Sequence, residues 1–310
     1  MSCADMIAGV KFLQFIPEKV VLTECESRKF AHKQIMNYHI TRPSPLLSGV
    51  VRHYWMLDNC LPKGGEHVQR IVPNGLTDLV FYLDTRPQIT GLQGISMDSG
   101  MISGQMHEYY DLKITGHISL FAVTLQPQGL SRLLDMPGSE LCNLSIPLRF
   151  LFRDFYAKLE DQLHSTVSFR ERVRCMEGFL LTRLSKCSMK YNSGRINSSL
   201  RLINNARGLV SIESLASAAC CSRRQYERIF TEVIGTSPAR FLRTVRFQSA
   251  IHIRSRQPES TLTSLAYDSG FADQSHMCNE FVRFSGMPPG QFFGECEPFS
   301  DYFQEIDPVN

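Results

Sequence analysis

The C-terminal third of the chain contains an internal repeat, and no other feature of the sequence constrains the fold as strongly. The tripeptide Ser-Leu-Ala occurs at residues 214–216 and again at residues 264–266. The segment GTSPARF at 235–241 likewise returns as GMPPGQF at 286–292, at nearly the same spacing. Self-similarity of this kind indicates two copies of one supersecondary unit in tandem.

Each copy has the pattern of two short helices joined by a tight turn. In the first copy, Ser211 is placed to cap one helix and Ser222 to cap a second. Gly235 is predicted to end that second helix, because glycine tolerates the left-handed conformation of a C-terminal cap. Thr261 and Asp273 are the corresponding N-terminal caps in the second copy. Both copies are therefore predicted to be helix-turn-helix units.

The second helix of each copy keeps polar side chains outward near its start once its apolar face is buried. In a helix-turn-helix unit this helix lies in the major groove, and its first residues face the base edges. The alternative for the first copy is a salt-bridged, solvent-exposed face, and the alternative for His276 is a metal ligand, although no partner stands at ligand spacing. The predicted DNA contacts are Arg223, Arg224, Glu227, Arg228, Gln274, Ser275, His276 and Asn279.

A longer helix is predicted between the copies. Ser237 is placed to cap it, Pro238 lies in its first turn, and it runs to about Ser255. At about 25 Å it can hold the two second helices roughly one duplex turn apart. Between Arg195 and Cys296 there are twelve basic residues, all of them arginine, against eight acidic ones. Arginine makes bidentate contacts to phosphate and guanine, which favours double-stranded DNA as the partner.

The N-terminal half has the short, alternating apolar runs of a β domain. Two helical patterns follow it, from Pro147 to Leu163 and from Val167 to Lys186. The predicted fold class is therefore α+β, with an N-terminal β-sandwich or barrel and flanking helices before an all-α tandem helix-turn-helix domain. The strand-like runs are VVRHYWML, HVQRIVP, TDLVFYLD and ISLFAVTL.

These patterns divide the chain into five segments. The apolar pattern of the first is too weak to place, and the third is small, polar and ends in glycine. The last carries four acidic residues and no basic one. The segments are an N-terminal extension at 1–40, a β-rich sensor or dimerisation domain with trailing helices at 41–187, a linker at 188–194, the double helix-turn-helix domain at 195–296 and an acidic tail at 297–310.

The repeated region resembles the AraC/XylS family of transcription regulators from roughly Arg195 to Phe293. The resemblance rests on SLASAACCSRRQYERIFTEVIGTSPARFLRTVRFQSA and on SLAYDSGFADQSHMCNEFVRFSGMPPGQFF. The sequence departs from the family pattern at Asn279, which is often arginine in relatives, and at the pair Cys220 and Cys221. The positions that the resemblance implies for DNA contact are Arg224, Glu227, Arg228, Ser275, His276 and Asn279.

The segments HYWMLDN, RIVPNGLTDLVFYLD and FAVTLQPQGL resemble a cupin-like β domain that precedes this module in some relatives. Such domains typically sense a small molecule or mediate dimerisation. The resemblance therefore implies a regulator controlled by a small-molecule effector or a partner subunit, with the helices within 147–186 as a candidate homodimer face. No cofactor or metal is predicted, since the histidines lack the His-x-His pattern of a metal-binding cupin, and His107, Glu108 and His117 are interpreted as polar strand positions.

Four aromatic residues of the predicted strands have two alternative interpretations. They either line an apolar pocket of the β domain or fill the core of a sandwich. Both interpretations are compatible with their spacing. The residues are Tyr54, Trp55, Phe81 and Tyr82.

Two other classes of function are weighed against regulation by DNA binding. A repair enzyme with a thiolate acceptor needs an activated cysteine, and neither Cys142 nor Cys175 has a recognisable Cys-His setting in the sequence, so no enzymatic activity is predicted. A thiol redox sensor at Cys220 and Cys221 is the other alternative to simple packing of the turn. No apolar run reaches the roughly 18 residues of a membrane span, and no signal peptide is recognised, a pattern typical of a cytoplasmic protein.

Overall fold

A β-rich N-terminal region is followed by a helical C-terminal region. The computed structural model describes residues 36–61, 64–90, 97–134, 136–187 and 193–295. The predicted acidic tail, most of the predicted linker and nearly all of the predicted N-terminal extension lie outside these residues. Within the described ranges, no helix combines the length and the apolar character that crossing a membrane requires.

The β-strands of the N-terminal region form two antiparallel sheets. The larger sheet has the strand order β1-β2-β8-β4-β6-β9, and the smaller has the order β3-β7-β5. The strands are β1 (Met36–Thr41), β2 (Val51–Cys60), β3 (Glu66–Ile71), β4 (Thr77–Tyr82), β5 (Gln88–Thr90), β6 (Gly100–Ser103), β7 (Tyr110–Thr115), β8 (His117–Leu125) and β9 (Ser145–Pro147).

The predicted β-sandwich is confirmed, but its first strand begins earlier than the predicted domain start. Residues 36–40 were assigned to the extension and instead belong to β1, which pairs along its whole length with β2. This edge strand is short and mixes polar with apolar residues, so its alternation is weak. The predicted strand-like runs also miss four other strands, most of which are too short to show a clear alternation. These are β5, β6, β7 and β9.

Helices cover the outer face of the larger sheet. These are α1 (Gly129–Leu133), α2 (Arg149–Ser165) and α3 (Phe169–Lys186), the last two where helical periodicity predicts them. The opposite face of the same sheet looks toward the smaller sheet. Because side chains alternate along a strand, Tyr54 points to the helical side and Trp55 to the space between the sheets.

The described C-terminal region consists of helices joined by short turns and loops, as predicted. Its helices are α4 (Ser193–Asn205), α5 (Ile212–Ala218), α6 (Arg223–Ile234), α7 (Pro238–Arg256), α8 (Leu262–Asp268), α9 (Gln274–Ser285) and α10 (Pro289–Glu295). α4 begins two residues before the predicted boundary, and its Ile196, Leu200 and Ile203 pack into the core of the first unit.

The caps that define the two units are confirmed. The Ser222 hydroxyl accepts a hydrogen bond of 3.3 Å from the backbone of Gln225, and Asp273 accepts one of 2.7 Å from the backbone of His276. Ser211 and Thr261 cap α5 and α8 in the same way. These bonds satisfy backbone donors that the first turn of a helix leaves without partners.

Each unit has its own hydrophobic core, and α7 contributes to both. Phe241 and Val245 of α7 lie in the first core beside Phe230, whereas Phe247 lies in the second core beside Phe281. With 19 residues, α7 is about 28 Å long. A single rigid helix therefore sets the separation of the two units.

Candidate nucleic-acid interface

The first turns of α6 present two arginine side chains to solvent. Arg224 and Arg228 are exposed and lie one helical turn apart on the same face. Among the described residues, neither makes a salt bridge, and no hydrogen bond to either side chain is found. Both guanidinium groups are therefore available to an external anion or base edge.

Arg223 is engaged within the protein instead. Its guanidinium makes salt bridges to Glu213 of α5 and to Glu227 one turn along α6, the latter with an N–O distance of 3.0 Å. These carboxylates raise the pKa of Arg223. The salt-bridged alternative considered from the sequence thus describes Arg223 and Glu227, while Arg224 and Arg228 stand outside that network.

We call α6 and α9, the second helices of the two units, the reading helices. The second of them, α9, has fewer charged residues than α6. Gln274, Ser275 and Asn279 are exposed, and the Gln274 side chain accepts a hydrogen bond of 2.8 Å from Thr263 of α8. His276, which the sequence predicts to point outward, is partly exposed. Its ring meets the ring of Phe271 edge-on at 5.5 Å, because the turn before α9 folds back onto the helix.

A metal-ligand role for His276 finds no support among the described residues, where no group of three or more potential ligands comes together. Its Nδ1 instead accepts a hydrogen bond of 3.4 Å from the backbone of Ala272. His276 therefore helps to order the start of α9.

A buried ion pair fixes α9 on the connecting helix. Arg243 of α7 donates to both carboxylate oxygens of Glu280, at 2.8 and 2.5 Å, and Glu280 is only 7% exposed. The hydrogen bonds to Glu280 raise the pKa of Arg243. No local sequence pattern links these two residues, because they are 37 positions apart. The pair holds the second reading helix at a defined angle to α7.

The N-terminal region contacts the far end of both reading helices. Gly235 and Gly286 end α6 and α9 with positive φ values of 95° and 74°. A Cβ at Gly235 would lie 2.7 Å from the carbonyl oxygen of Gly138, and a Cβ at Gly286 would lie 2.5 Å from the ring of Tyr109. Equivalent glycines of the repeat thus permit close approach of the N-terminal region at two places.

The segment between β3 and β4 lies between the two helix-turn-helix units. Leu76 belongs to the core of the first unit, and Val72 packs against the core of the second. Between them, the Pro73 carbonyl accepts a hydrogen bond of 3.0 Å from the side chain of Gln248 on α7. We call residues 72–76 the wedge segment. It contacts the core of each unit and the connecting helix α7.

Arg70, just before the wedge segment, bonds to the second unit. One of its amino groups donates to the backbone carbonyl of Ser285 at 3.0 Å, while the rest of the guanidinium makes two bonds of 2.8 Å to Asp111. The guanidinium also lies 4.3 Å above the ring of Tyr109. No local sequence pattern indicates this site, because its members come from strand β3, strand β7, a loop and a distant helix.

His107 lies at the same domain contact, which corrects its assignment to a strand. His107 and Glu108 belong to the loop before β7, and the His107 Nε2 is 3.0 Å from the hydroxyl of Thr236 and 3.2 Å from the thiol of Cys142. His117, by contrast, is the first residue of β8 and lies between the carboxylates of Asp58 and Asp84. Those hydrogen bonds, the one to Asp84 foremost, raise its pKa.

The structure thus supplies a Cys-His pair that the sequence did not reveal. Burial raises the pKa of the Cys142 thiol, and burial, with Arg240 and Arg283, lowers the pKa of His107 to about 4. Both groups are therefore neutral near pH 7. An activated thiolate requires the opposite shifts.

The four aromatic residues divide between the two sites that the sequence left open. Tyr54 and Phe81 are buried in the core between the larger sheet and the helices. Trp55 and Tyr82 line a cavity between the two sheets. Each interpretation therefore holds for two of the four residues, because neighbouring residues on a strand face opposite sides of the sheet.

Two family descriptions match the chain. Residues 39–147 match a domain of unknown function, DUF6597, and residues 215–295 match the description "Helix-turn-helix domain". An uncharacterised HTH-type transcriptional regulator of Haemophilus influenzae is 38% identical over 81 residues, which cover 26% of this chain and 27% of that protein. The RCS-specific activator RclR of Escherichia coli is 35% identical over 82 residues, covering 26% of this chain and 28% of that protein. The chain thus spans under a third of the length of either relative.

The chain is also similar to solved structures, at low sequence identity. The unsaturated fatty acid bound ToxT of Vibrio cholerae has a TM-score of 0.45 and 12% identity, covering 88% of this chain and 99% of that one. An AraC-type DNA-binding protein of Chromobacterium violaceum has a TM-score of 0.30 and 20% identity, covering 32% of this chain and 88% of that one. The sequence matches, together with the duplicated and capped helix pairs, identify the module. Residues 215–295 are thus a helix-turn-helix domain, similar to that of HTH-type transcriptional regulators.

Proposed function

We propose that the protein regulates transcription by binding a specific sequence of double-stranded DNA through α6 and α9. The observation that carries the proposal is the pair Arg224 and Arg228, which are exposed, one turn apart and without an internal salt bridge among the described residues. Their spacing lets both side chains enter one stretch of major groove, where arginine pairs with guanine or phosphate.

The two reading helices contribute unequally in this proposal. α6 carries the cationic side chains, whereas the exposed residues Gln274, Ser275 and Asn279 of α9 are uncharged. Uncharged amides and hydroxyls read base edges or hold phosphates with less electrostatic attraction. We therefore assign most of the affinity to the first unit and a share of the sequence preference to the second.

We further propose that a small-molecule effector in the N-terminal region controls DNA binding. Support comes from the wedge segment and from the two contacts at Gly235 and Gly286, which connect that region to both units. An effector can shift an equilibrium only through different affinities for two arrangements. A change in the position of the wedge segment would alter the relation of the reading helices and so supply those two arrangements.

A homodimer through α2 and α3 remains part of the proposal. The main apolar face of these helices already covers the larger sheet, with Phe152, Leu163 and Met176 buried there. Phe150 and Phe155 of α2 are nevertheless 59% and 40% exposed. A second copy of the chain is the occupant we propose for this face, and the molar mass in solution tests it.

Selection from a random pool of duplex DNA tests the main proposal. The full chain should enrich a bipartite motif whose two centres lie about ten base pairs apart, because α7 holds the two units about one duplex turn apart. The variant with both Arg224→Ala and Arg228→Ala should enrich nothing, whereas Arg170→Ala on α3 should enrich the same motif. No enrichment by the unaltered chain would contradict the proposal.

A further inference from the structure

The cavity between the two sheets is a feature that DNA binding leaves unexplained. It has a volume of about 130 Å³ and lies among alternate residues of strands from both sheets. Its walls are mainly apolar. Six of the apolar lining residues are Leu57, Val80, Met101, Leu112, Ile114 and Leu120.

One polar atom in the wall lacks a partner. The Nε2 of His67 on β3 is buried and makes no hydrogen bond of normal geometry to any described residue. A buried polar atom without a partner costs free energy, which a bound molecule with a matching group would recover. Burial lowers the pKa of His67, although the nearby Gln69 side chain acts in the opposite direction as a hydrogen-bonding group. The Gln69 amide itself donates to the Arg70 carbonyl at 3.1 Å and makes no bond of normal geometry to the Nε2 of His67. The imidazole is therefore neutral and can either donate or accept a hydrogen bond at this atom.

The charge of the wall selects most strongly against anions. None of the described lining residues is lysine or arginine, so a buried anion would have no counter-charge there. The one carboxylate, Asp78, already accepts a hydrogen bond of 2.6 Å from Thr124, whose hydroxyl in turn accepts one of 3.1 Å from Trp55. Burial of a charge without a partner is far more costly than burial of a neutral group.

We propose that this cavity binds a neutral, mainly apolar molecule about the size of one substituted aromatic ring, with a hydroxyl or similar group bonded to Nε2 of His67. An apolar cavity of roughly 150 Å³ accommodates benzene, which sets the size class. The inference deepens the proposed effector control and rests on it for its regulatory meaning, but the binding itself does not depend on DNA.

The position of the cavity gives the bound molecule a route to the DNA-binding module. Ile71 and Asp78 both line the cavity, and the wedge segment is the stretch of chain between them. Along β7, Tyr110 lines the cavity while its neighbour Tyr109 contacts Gly286. A molecule that moves these wall residues therefore acts on the segments that contact both helix-turn-helix units.

Trp55 makes the proposal directly testable, because it is the single tryptophan of the sequence and lines the cavity. The full chain is titrated, without DNA, with four probes of similar size: benzyl alcohol, toluene, benzoate and benzylamine. Selectively excited Trp55 fluorescence should change saturably with benzyl alcohol. Toluene should bind roughly three- to tenfold more weakly for lack of one hydrogen bond, and benzoate at least about tenfold more weakly. Benzylamine should also bind more weakly than benzyl alcohol, because Asp78 only partly offsets the cost of removing its charge from water.

Variants of His67 assign the hydrogen bond. His67→Phe should abolish the preference for benzyl alcohol over toluene, His67→Gln should retain it, and His164→Phe on the exposed face of α2 should leave all four affinities unchanged. Cooperative thermal unfolding of each variant checks that it is folded. Equal or tighter binding of either ion, an unaltered preference in His67→Phe, or no saturable change with any probe would overturn the proposal. A failure of DNA selection would leave this result standing, so the two proposals fail separately.

Discussion

Arg70 donates a hydrogen bond of 3.0 Å to the backbone carbonyl of Ser285, the last residue of α9. A cation at this position compensates the free carbonyl groups and the partial negative charge at the end of a helix. The same guanidinium is anchored by two bonds of 2.8 Å to Asp111. A strand of the N-terminal sandwich is thereby joined to the second reading helix through one side chain.

Replacement of Arg70 by alanine should destabilise this contact. The change leaves Asp111 and the Ser285 carbonyl without their partner in a largely buried setting, since the Arg70 and Asp111 side chains are 16% and 21% exposed. We expect the free energy of unfolding to fall by about 2 kcal/mol in urea titrations. Arg170→Ala, at an exposed position of α3, should change it by less than about 0.5 kcal/mol. Equal changes in the free energy of unfolding for Arg70→Ala and Arg170→Ala would show that the Arg70 contact does not stabilise the fold.

Replacement of Arg228 by alanine should weaken DNA binding by about 1–3 kcal/mol if the side chain reads a base, and it should relax the sequence preference at one position. Arg223→Ala should cost less, because Arg223 already pairs with Glu213 and Glu227. Fluorescence anisotropy with the selected duplex at several salt concentrations measures both. A loss that is uniform over all sequences, with a shallower salt dependence, would assign Arg228 to phosphate instead.

Cys220 occupies the turn position that glycine occupies in the second unit. Its φ is 52°, a left-handed conformation that side chains disfavour, and the equivalent Gly270 has a φ of 74°. Cys220→Gly should therefore raise the free energy of unfolding by about 1 kcal/mol. The reverse change, Gly270→Cys, should lower it by at least about 2 kcal/mol, because the new Cβ would overlap the side chain of Leu209.

The same variant also tests the redox alternative. Cys220 is exposed, whereas the Cys221 thiol is half buried near the Ala216 carbonyl. If the turn only packs, mild peroxide should leave the DNA affinity of both the unaltered chain and Cys220→Gly the same. A loss of affinity on oxidation that Cys220→Gly abolishes would support a thiol sensor.

Acid should weaken the domain contact at His107. Burial lowers the pKa of His107 from 6.5 to about 4. Between these two pH values the imidazole is therefore mainly protonated in the unfolded chain and mainly neutral in the folded chain. Stability from this group is complete above pH 6.5 and is lost as the pH falls toward about 4. His107→Gln retains a polar side chain near Thr236 but does not titrate, so its free energy of unfolding should decrease less in this range.

His117 provides a control, because its contribution to stability should change with pH in the opposite direction. Its pKa is raised, mainly by the hydrogen bond to Asp84, so its contribution is present below the unfolded pKa and is lost as the pH rises through the folded pKa. His117→Gln should therefore lose stability relative to the unaltered chain in acid and match it in alkali. If the free energy of unfolding depended on pH in the same way in His107→Gln and His117→Gln, the assignment of His107 to the domain contact would be contradicted.

The sequence by itself determined the elements whose signals are local. The caps at Ser222 and Asp273, the glycine that ends α6 and the apolar faces of the paired helices depend on residues within a few positions of one another. Repetition then identified the two copies as one structural unit. The exposed positions of Arg224 and Arg228 followed from the same periodicity, because burial of one helical face leaves the other outside.

Tertiary structure alone decided the contacts between distant segments. Arg243 with Glu280, Arg70 with Ser285, and the insertion of the wedge segment between the units join residues up to 215 positions apart. The half exposure of His276 and the enclosure of His67 likewise depend on what packs against them. Periodicity states which face of an element is buried but not which partner covers it, and that choice is made when the sheets and helices pack together.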